Sequence, residues 1–469
     1  MAQTKSASLI LLLMLCIGKT ACLSGSMRGW LTTGDQRNLL RQLSTIHAST
    51  GGGRGVHINI DRTRRYQTME GFGAALTSSA AYVIHNSPEY DEIVNELFSP
   101  YAGIGISYIR LPMGASDIQA EAPYTYADTA WDFNLDHFSI DKDRHFIIPV
   151  IKKALRVNPS LKIMGTPWTA PAWMKTSNRL QGGQLKRDAN INDAYAKYFL
   201  KFIQEYQREG INITAVTVQN EPLNGNDQYP TMEMSWQQES EFVKHHLGPV
   251  FRSNNIKTKI LLYDHNWDNT DYANNILDDH DTSQYVSGVA WHCYGGDKNA
   301  PLQVHNRHPN VDMYFSECSG GTWASDFSGN LMWNAETLFI AQPRAWTKTV
   351  LLWNLALDEN HGPHVQTNGG CKTCRGALTV QSRGGYTKEV EFYLIGHLSK
   401  FVKPGAVRID SNTGQNINTV AFQNSDGSVA VLVQNSDSNS KDVTVQVDND
   451  NSRSYIYNMP GHAIATFLL

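Results

Sequence analysis

The chain has 469 residues, 41% of them hydrophobic and 18% charged, with a formal net charge of -4. This length allows one large domain and a smaller one, because single hydrophobic cores stop growing near ~250 to 300 residues. The balanced charge excludes an extended basic face for nucleic acid or an anionic membrane surface, so we expect a neutral partner.

The first 24 residues predict a secretory signal peptide. Lys5 supplies a positive start, an apolar run from Ser8 to Gly18 follows, and small residues come next. No later stretch reaches about 18 uninterrupted apolar residues. We therefore expect a secreted monomer without stable membrane insertion, with a lysosome-like compartment as the alternative destination. A lipid anchor on Cys22 is a further alternative, which Lys19 disfavours.

The residues after the signal predict part of a side domain. The segment up to about Arg54 is polar and rich in Ser, Thr and Gly, which favours a loosely held entry segment. Val56 to Ile60 then alternates apolar and polar residues, as a half-buried strand does. We assign residues 25–65 to a segment that contributes this strand to a β side domain.

Residues 66–402 alternate short apolar runs with helical patterns, which predicts an α/β fold, a (β/α)8 TIM barrel. The predicted strands are Gly71 to Leu76, Tyr108 to Met113, Lys162 to Trp168, Ala215 to Glu221, Lys259 to Asp264, Gly288 to Tyr294, Asp312 to Glu317 and Thr349 to Leu357. The predicted helices include Glu89 to Phe98, Phe146 to Asn158, Ala194 to Glu209, Ser235 to Arg252 and Glu389 to Val402.

Residues 403–469 show only strand patterns, broken by Asp, Asn, Ser and Gly turns. We predict a fused β-sandwich that the strand at Val56 to Ile60 joins. Its own strands are predicted at Ala406 to Asp410, Val420 to Asn424, Val429 to Asn435, Asp442 to Val447, Ser454 to Met459 and Ala463 to Phe467.

Two glutamates end predicted barrel strands, where the loops of a parallel barrel surround one mouth. Glu221 ends the fourth strand, and Pro222 after it favours an extended backbone at Glu221. Glu317 ends the seventh strand, and small residues follow it. Because the fourth and seventh strands face each other, the two carboxylates can reach the separation of about 5 to 5.5 Å that retaining glycosidases use.

Such a pair divides the chemistry between an acid, which protonates the leaving oxygen, and a nucleophile. We expect the negative charge of one glutamate to raise the pKa of the other. Asn220 can hydrogen-bond a sugar 2-hydroxyl, while Arg110 and Tyr294 can hold Glu317. For Arg110, the alternative is a buried ion pair that closes the barrel floor.

Other strand-end residues are candidates for substrate binding. Three tryptophans are candidates for walls on which a sugar ring stacks, namely Trp168, Trp173 and Trp353. The alternative is that they pack in the core. Asp117 and Asp264 are further binding candidates.

His292 also lies at a strand end. We prefer it as a hydrogen-bond donor behind the site over metal ligation, because no second His or carboxylate stands at ligand spacing in the sequence. Neither a metal nor another cofactor is predicted.

Four cysteines beyond the signal predict two disulfides in an oxidising compartment. The spacing of Cys371 and Cys374 suggests a stapled surface loop. Cys293 and Cys318 end the adjacent sixth and seventh strands, which brings them close.

Several motifs, in this order along the chain, resemble glycoside hydrolase family 30, the group that contains lysosomal glucosylceramidase. They are Glu70 to Thr77, Tyr108 to Met113, Pro167 to Lys175, Asn220-Glu221-Pro222 and Ser316-Glu317-Cys318. The resemblance implies a retaining barrel with a fused β side domain. It also implies Glu221 as acid/base and Glu317 as nucleophile, with Arg110, Trp168, Asn220, Tyr294 and Trp353 lining the subsite before the cleaved bond.

Within that family, three segments look more like the endo-β-1,6-glucanase branch than like glucosylceramidase. They are Tyr263 to Asp268, Trp291 to Tyr294 and Gly369 to Gly376. Cys293 stands where glucosylceramidases usually have an aromatic residue. The sequence thus predicts a secreted retaining enzyme that cleaves β-1,6-glucan.

Several alternatives stay open. The carbohydrate partner is a β-glucan or, in the first alternative, the glycolipid substrate of a glucosylceramidase. A β-1,6-galactanase or xylan-specific relative is another. A carbohydrate-binding barrel without catalysis is the last, against which the presence of both glutamates speaks.

Overall fold

The structure, a computed structural model, describes residues 25–49, 53–364, 370–448, 450 and 453–469. The predicted signal peptide and Gly369 lie outside these residues. The described strands, numbered in chain order, are β1 Ser26–Thr33, β2 Arg41–Gln42, β3 Ile46–His47, β4 Val56–Thr68, β5 Gly71–Ala75, β6 Tyr108–Pro112, β7 Lys162–Thr166, β8 Ala215–Thr217, β9 Lys259–Trp267, β10 Gly288–Gly296, β11 Asp312–Glu317, β12 Gly320–Gly321, β13 Thr347–Leu352, β14 Ala356–Asp358, β15 Cys374–Arg375, β16 Leu378–Val380, β17 Tyr386–Lys388, β18 Val407–Ser411, β19 Ile417–Gln423, β20 Val429–Asn435, β21 Lys441–Val447, β22 Tyr455–Met459 and β23 Ala463–Leu468.

The helices alternate with the strands of the barrel. In chain order they are α1 Ser78–Asn86, α2 Tyr90–Phe98, α3 Ile147–Val157, α4 Ala189–Arg208, α5 Trp236–Phe242, α6 Gly248–Ser253, α7 Thr270–Leu277, α8 His280–Ser283, α9 Ala300–Arg307, α10 Phe327–Asn334, α11 Ala341–Arg344 and α12 Val390–Ser399. Short 3-10 turns lie at Asp141–Arg144 and Ala172–Met174, and π-helical turns at Val243–Leu247 and Ala335–Ile340. Among the described residues, no helix has both the length and the apolar character that crossing a membrane requires.

Eight parallel strands close into a barrel, which confirms the predicted fold class. Their order is β5, β6, β7, β8, β9, β10, β11 and β13, and β13 pairs back with β5. One buried side chain from each of seven strands fills the interior: Tyr108, Met164, Ala215, Leu261, Ala290, Tyr314 and Leu351. This filling makes the barrel a packed core rather than a pore.

The floor of the barrel is closed by an ion pair that does not involve Arg110. Lys259 Nζ lies 2.6 Å from Glu70 Oε1 and 2.7 Å from the hydroxyl of Tyr314, inside the amino-terminal end of the barrel. The alternative that Arg110 closes the floor is therefore wrong, because Arg110 lies at the opposite end of the barrel, beneath Glu317.

Three predicted strands end two or more residues earlier in the structure than in the sequence-based assignment. β7 ends at Thr166, β8 ends at Thr217, and β13 ends at Leu352, with β14 belonging to a separate small sheet. Their ladders stop because the chain leaves the barrel to form loops around its mouth. Trp168, Glu221 and Trp353 are consequently loop residues that follow strands.

A β-sandwich packs beside the barrel. Its strands follow the order β2, β1, β23, β20, β19, β18, β4, β21 and β22, with β3 also pairing with β1. The prediction of a loosely held segment before Arg54 is wrong for β1, which pairs with β23 over six residues and buries Met27 and Leu31. Local sequence offers little sign of this strand because its partner lies more than 400 residues away. The domain boundaries given above stay predictions.

One hydrophobic cluster extends from the barrel into the sandwich, and the sandwich has a second cluster of its own. Every residue of α12 is buried, and its polar side chains have partners inside the protein, such as Glu391 with Arg375. The imidazole of His397 makes two hydrogen bonds to the sandwich. Its Nε2 lies 2.8 Å from the hydroxyl of Thr32 in β1, and its Nδ1 lies 2.9 Å from the hydroxyl of Thr466 in β23. The cluster that extends from the barrel includes Phe422 and Leu432 of the sandwich.

Candidate active site

Glu221 and Glu317 meet at the carboxyl end of the barrel. Glu317 is the last residue of β11, and Glu221 follows β8 by four residues. One carboxylate oxygen from each, together with a ring nitrogen of His292, lie within 4.8 Å of one another. The nearest oxygens of the two carboxylates are therefore at most 4.8 Å apart. This is compatible with the separation of about 5 to 5.5 Å between the carboxyl groups that flank the bond in retaining glycosidases, and it is well below the roughly 6.5 to 9.5 Å that accommodates a water molecule.

The backbone at Glu221 is not extended, contrary to the expectation from Pro222. Its φ angle is +46°, in the left-handed region that non-glycine residues avoid. Two backbone hydrogen bonds hold it there: Glu221 N–H donates to Asp264 O at 3.0 Å, and Asn224 N–H donates to Glu221 O at 2.8 Å. Tertiary contacts therefore override the local preference, and strain of this kind is typical of functional sites.

Glu317 is held by two side chains, Arg110 from β6 and Tyr294 from the neighbouring strand β10. Arg110 Nη1 lies 2.5 Å from Glu317 Oε2, and the hydroxyl of Tyr294 donates to Glu317 Oε1 at 2.9 Å. Both contacts fit the predicted roles of Arg110 and Tyr294. Burial raises the pKa of Glu317, and the charges of His292 and Arg110 oppose that shift.

Asp264 lies completely buried beneath the two glutamates and connects their supports. Its carboxylate pairs with Arg110 Nη2 at 2.7 Å and with His292 Nε2 at 3.0 Å, and it accepts from Ser316 and Thr217. Although burial opposes ionisation, the Arg110 charge lowers the pKa of Asp264 well below its ordinary value. Arg110, Asp264 and His292 have no exposed surface, so they organise the glutamates rather than form the cavity wall.

His292 bridges this buried network and Glu221. Its Nδ1 lies 3.2 Å from Glu221 Oε1 and 3.9 Å from Glu317 Oε1. Against the effect of burial, the charges of Glu317 and Asp264 raise the pKa of His292 to about 9. At neutral pH His292 is therefore an imidazolium whose two N–H groups donate to carboxylates.

The reason given for excluding a metal at His292 is wrong, because two carboxylates do approach it, Glu317 from the adjacent strand β11 and Glu221 from the loop after β8. Their donor atoms lie within 4.8 Å of one another, close enough to hold a cation. However, each of these groups already has hydrogen-bond partners, and Arg110 and the imidazolium supply the positive charge. The donor set is thus accounted for by an ion-pair network.

The charge on Glu221 also differs from the expectation. We expected a raised pKa, but although burial acts in that direction, the hydrogen bond and charge of His292 lower the pKa of Glu221 to about 2. The single exchangeable proton of this pair therefore resides on His292, whose Nδ1 lies 3.2 Å from Glu221 Oε1.

A cavity of about 350 Å³ opens above the glutamates. Trp168 and Trp353 form one wall, with ring centroids 5.1 Å apart and exposed fractions of 3% and 4%. Both rings pack on Arg110, whose guanidinium carbon lies 4.7 Å from the Trp168 ring. The remaining lining residues are Asp117, Asn220, Glu221, Tyr229, Tyr294, Glu317, Ser319, Trp323, Gly370, Cys371 and Cys374.

Two polar side chains of the lining are oriented by the protein. Asn220 Oδ1 accepts from Arg110 Nη2 at 2.7 Å, which turns its amide nitrogen toward other acceptors. Burial and the charge of Glu317 raise the pKa of Asp117 to about 7. Asp117 also accepts from the backbone of Cys371 at 3.4 Å.

Trp173 does not belong to the cavity wall. It lies in the hydrophobic core, where its indole nitrogen donates to Ala127 O at 2.9 Å. For this residue, ordinary packing is the correct interpretation.

Both predicted disulfides are present. Cys293 and Cys318 join the ends of β10 and β11 beside Glu317, and Cys371 is joined to Cys374 at the rim of the cavity.

Some site residues escaped the sequence analysis. Asn224 donates to Glu221 Oε2 at 2.8 Å and to the hydroxyl of Tyr229 at 2.8 Å. Trp323 forms part of the rim of the cavity. These residues lie in loops several positions beyond the strand ends, where no periodic pattern distinguishes them from other polar or aromatic residues.

A closed parallel barrel, with two adjacent carboxylates under an aromatic-walled cavity, is the arrangement of a barrel glycosidase. Comparisons with known proteins agree. Residues 69–402 match the glycosyl hydrolase family 30 TIM-barrel domain, and residues 405–467 match the β-sandwich domain of the same family. The chain belongs to glycosyl hydrolase family 30 and is a glycosidase.

Its relatives include enzymes of two kinds. An endo-1,6-β-D-glucanase of Aspergillus fumigatus is 33% identical over 435 residues, which cover 86% of this chain and 85% of the relative. A putative glucosylceramidase of Caenorhabditis elegans is 31% identical over an alignment that covers 88% of this chain and 83% of the relative. Among solved structures, an endo-β1,6-glucanase is 35% identical and superposes with a TM-score of 0.88. The superposition covers 95% of this chain and 99% of that glucanase chain.

Proposed function

We propose that the protein is a secreted retaining β-glycosidase that cleaves β-1,6-glucan, with Glu317 as nucleophile and Glu221 as acid/base. The observation that carries this proposal is the approach of the two carboxylates to within 4.8 Å. At that spacing one carboxylate can attack the anomeric carbon while the other reaches the glycosidic oxygen.

In the first step, Glu317 attacks the anomeric carbon, the glycosidic C–O bond breaks, and the leaving oxygen takes a proton from Glu221. Arg110 and Tyr294 position Glu317 for this attack. The proton reaches Glu221 from His292, so that both groups are neutral before Glu221 passes this proton to the leaving oxygen. Asn220 can donate to the sugar 2-hydroxyl, an interaction that strengthens as charge develops at the anomeric carbon.

In the second step, Glu221 accepts a proton from a water molecule, whose oxygen attacks the anomeric carbon. The bond to Glu317 breaks, and the sugar leaves with its original β configuration. The proton then returns from Glu221 to His292 Nδ1, 3.2 Å away, which restores both carboxylates and the imidazolium.

Two observations support β-1,6-glucan as the substrate. The most similar relatives reported above are named as endo-β-1,6-glucanases. In addition, Cys293 is joined to Cys318 beside the cavity, at the position where the resemblance to glucosylceramidases fails. The two disulfides also support secretion, because they persist in oxidising compartments. Glucosylceramide is the second candidate, supported by the nematode relative.

A comparison of two substrates tests the proposal. Purified protein is incubated with pustulan, a β-1,6-glucan, and separately with glucosylceramide in detergent micelles, and the Glu317→Gln variant serves as the inactive control. We expect reducing sugar from pustulan at a kcat/KM at least tenfold above that for the glycolipid. Preferential release of glucose from the glycolipid would assign the second candidate, and no product from either would overturn both.

A further inference from the structure

A second cavity, of about 620 Å³, adjoins the first. Tyr294, Ser319 and Trp323 line both cavities, so the two lie side by side with these residues at their border. The second cavity lies between the loop after β11 and helix α10, and its floor includes the Cys293–Cys318 disulfide. We call it the Trp323–Trp333 groove, after the two tryptophans that border it.

The two tryptophans are unusually exposed for residues of their size. Trp323 has 60% and Trp333 49% of its surface accessible, whereas Trp168 and Trp353 in the catalytic cavity are almost completely covered. Indole rings that face solvent beside a catalytic cavity offer flat apolar surfaces on which a sugar ring can stack.

Trp323 is held in place by glycine. A Cβ atom at Gly321 would approach Cζ3 of the Trp323 indole to 1.9 Å, so the ring packs directly on the Gly321 backbone. Gly321 is itself fixed by the pairing of β12 with β15. The ring therefore presents its outer face to the groove at little cost in side-chain entropy, as a preformed binding surface requires.

The groove lies on the open side of the catalytic cavity. Trp168, Trp353 and Asp117 enclose the other side, which leaves room for the sugar unit whose anomeric carbon meets Glu317. The part of the substrate beyond the cleaved bond must leave toward the exposed residues Tyr294 and Trp323.

The polar groups of the groove favour a sugar over an alkyl chain. Asp326, Asn330 and Asn334 line it together with the two tryptophans. Asp326 accepts from the backbone at the start of α10, and the amide nitrogens of Asn330 and Asn334 donate to backbone carbonyls. The remaining lone pairs of their oxygens can accept hydrogen bonds from sugar hydroxyls, which an alkyl chain cannot donate. In a 1,6-linkage, the C6 methylene group lies between the cleaved bond and the ring of the next glucose unit. Because this methylene moves the ring away from the catalytic glutamates, a surface that stacks on the ring should lie beside the catalytic cavity rather than within it.

We infer that the Trp323–Trp333 groove is the leaving-group subsite, which binds the glucosyl units beyond the cleaved β-1,6 bond by stacking on Trp323 and Trp333. This inference rests on the proposed function and deepens it.

The test compares a substrate that fills the groove with one that leaves it empty. The first is a linear β-1,6-linked glucotetraose, and the second is β-D-glucosyl fluoride, whose leaving group is a single ion. Trp323→Ala and Trp333→Ala are compared with Trp131→Ala, a control tryptophan that is 64% exposed and lines neither cavity.

For each groove variant we expect the ratio of kcat/KM for the tetraose to kcat/KM for the fluoride to fall about tenfold or more, as truncation of a tryptophan at a binding hot spot does. Trp131→Ala should leave kcat/KM unchanged for both the tetraose and the fluoride. Gly321→Ala, which displaces the Trp323 ring, should lower the ratio in the same direction. An unchanged ratio in both tryptophan variants would overturn the inference while leaving the proposed function intact.

Failure of the proposed function gives different results. If the parent enzyme cleaves glucosylceramide but not the tetraose, and the groove variants lose glycolipid activity, then the groove binds lipid and the inference is wrong. If the parent cleaves neither, binding of the tetraose to the Glu317→Gln variant is measured by tryptophan fluorescence, and absence of binding overturns the inference as well.

Discussion

Of the two glutamates of the cavity, Glu317 is buried and Glu221 is partly buried, and each contacts a different cation. Glu317 contacts the guanidinium of Arg110, which cannot give up its proton, and the hydroxyl of Tyr294. Glu221 contacts His292, whose imidazolium can give up a proton. On the proposed assignment, the nucleophile is paired with a permanent charge and the acid/base with a proton donor, so the division of roles follows from the chemistry of the partners.

The proposed role of Glu221 predicts a leaving-group effect. Glu221→Gln should lower kcat/KM for β-1,6-glucan by roughly 10²- to 10⁴-fold, the usual contribution of a general acid. With 2,4-dinitrophenyl β-D-glucoside, whose leaving group needs no proton, formation of the glycosyl-enzyme should be far less affected, and added azide should yield β-glucosyl azide. The exposed Glu241→Gln variant serves as the control. An equal loss on both substrates would contradict the acid/base role.

The position of His292 predicts a change in pH dependence. The pKa of His292 is raised to about 9 and that of Glu221 is lowered to about 2, so the pair keeps one proton between these values. Activity on glucan should therefore fall as pH rises through about 9. In His292→Asn the proton can reside only on Glu221, so the alkaline limb of kcat/KM should move to lower pH by roughly one unit or more.

The dinitrophenyl glucoside separates this effect from simple misfolding. Because its departure needs no proton, its alkaline limb should stay in place in His292→Asn, whereas damage to the fold would lower both profiles together. An alkaline limb for glucan at the same pH in the parent and the variant would show that His292 does not supply the proton.

The identities of the two glutamates and their supports could be predicted from the sequence, because each follows a recognisable strand. The pKa of Glu221 could not, because its shift depends on His292, which is 71 residues away. Similarly, the left-handed backbone of Glu221 depends on a bond to Asp264, and a local rule based on Pro222 gave the wrong conformation.

Among the elements, the ends of β10 and β11 determine where the site forms. The register of the two strands shifts between Trp291 and His292, so the ends depart from a regular ladder where the functional residues begin. The Cys293–Cys318 disulfide ties these ends together directly after His292 and Glu317. It therefore constrains the two strands at the position where the ladder no longer does.

The two disulfides should differ in what they contribute to stability. The Cys293–Cys318 bridge spans 25 residues, and loop-closure entropy predicts that replacing both cysteines by serine lowers the free energy of unfolding by about 3 kcal/mol. The Cys371–Cys374 bridge spans 3 residues, so its loss should cost less than about 2 kcal/mol. Urea denaturation of the two double-serine variants measures both values, and a larger loss for the shorter loop would contradict this account.

Helices and strands were predictable from the sequence to different degrees. The helices predicted at Glu89 to Phe98 and Phe146 to Asn158 agree with α2 and α3 to within one residue at each end, since amphipathic periodicity is local. The ends of β7 and β8 were predicted too far along the chain, because apolar residues continue into loops that the rest of the barrel covers. β1 was missed because its pairing with β23 is not local.

At the scale of the whole molecule, His397 connects three parts of the chain. It lies on α12 behind the barrel and hydrogen-bonds both Thr32 near the start of the described chain and Thr466 near its end. Burial lowers the pKa of His397 to about 3, so the imidazole stays neutral in the folded protein. The contact between barrel and sandwich is thereby linked to pH.

This linkage predicts how stability changes on acidification. In the unfolded chain His397 has a pKa near 6.5, whereas in the folded protein its pKa is about 3. Below pH 6.5 the unfolded state therefore binds a proton that the folded state does not, so the contribution of His397 to stability falls as pH drops. In His397→Gln this titration is absent. The difference in free energy of unfolding between parent and variant should therefore shrink by roughly 2 kcal/mol between pH 7 and pH 5.

Denaturant titrations of both proteins at the two pH values measure this difference. Comparing the parent with the variant cancels the contributions of other titrating groups, among them Asp117 and His292. A difference that does not vary with pH would mean that His397 is not held neutral between the barrel and the sandwich.

The central claim, that Glu317 attacks the anomeric carbon, is tested most directly by trapping the glycosyl-enzyme. A 2-deoxy-2-fluoro-β-glucoside with a dinitrophenolate leaving group forms the intermediate readily but slows its hydrolysis, so the label accumulates and peptide mass spectrometry locates it. We predict one fluoroglucosyl group on the peptide that contains Glu317, and none in Glu317→Gln. A label on Glu221, or an unlabelled enzyme that releases the α-anomer from glucan, would contradict the account.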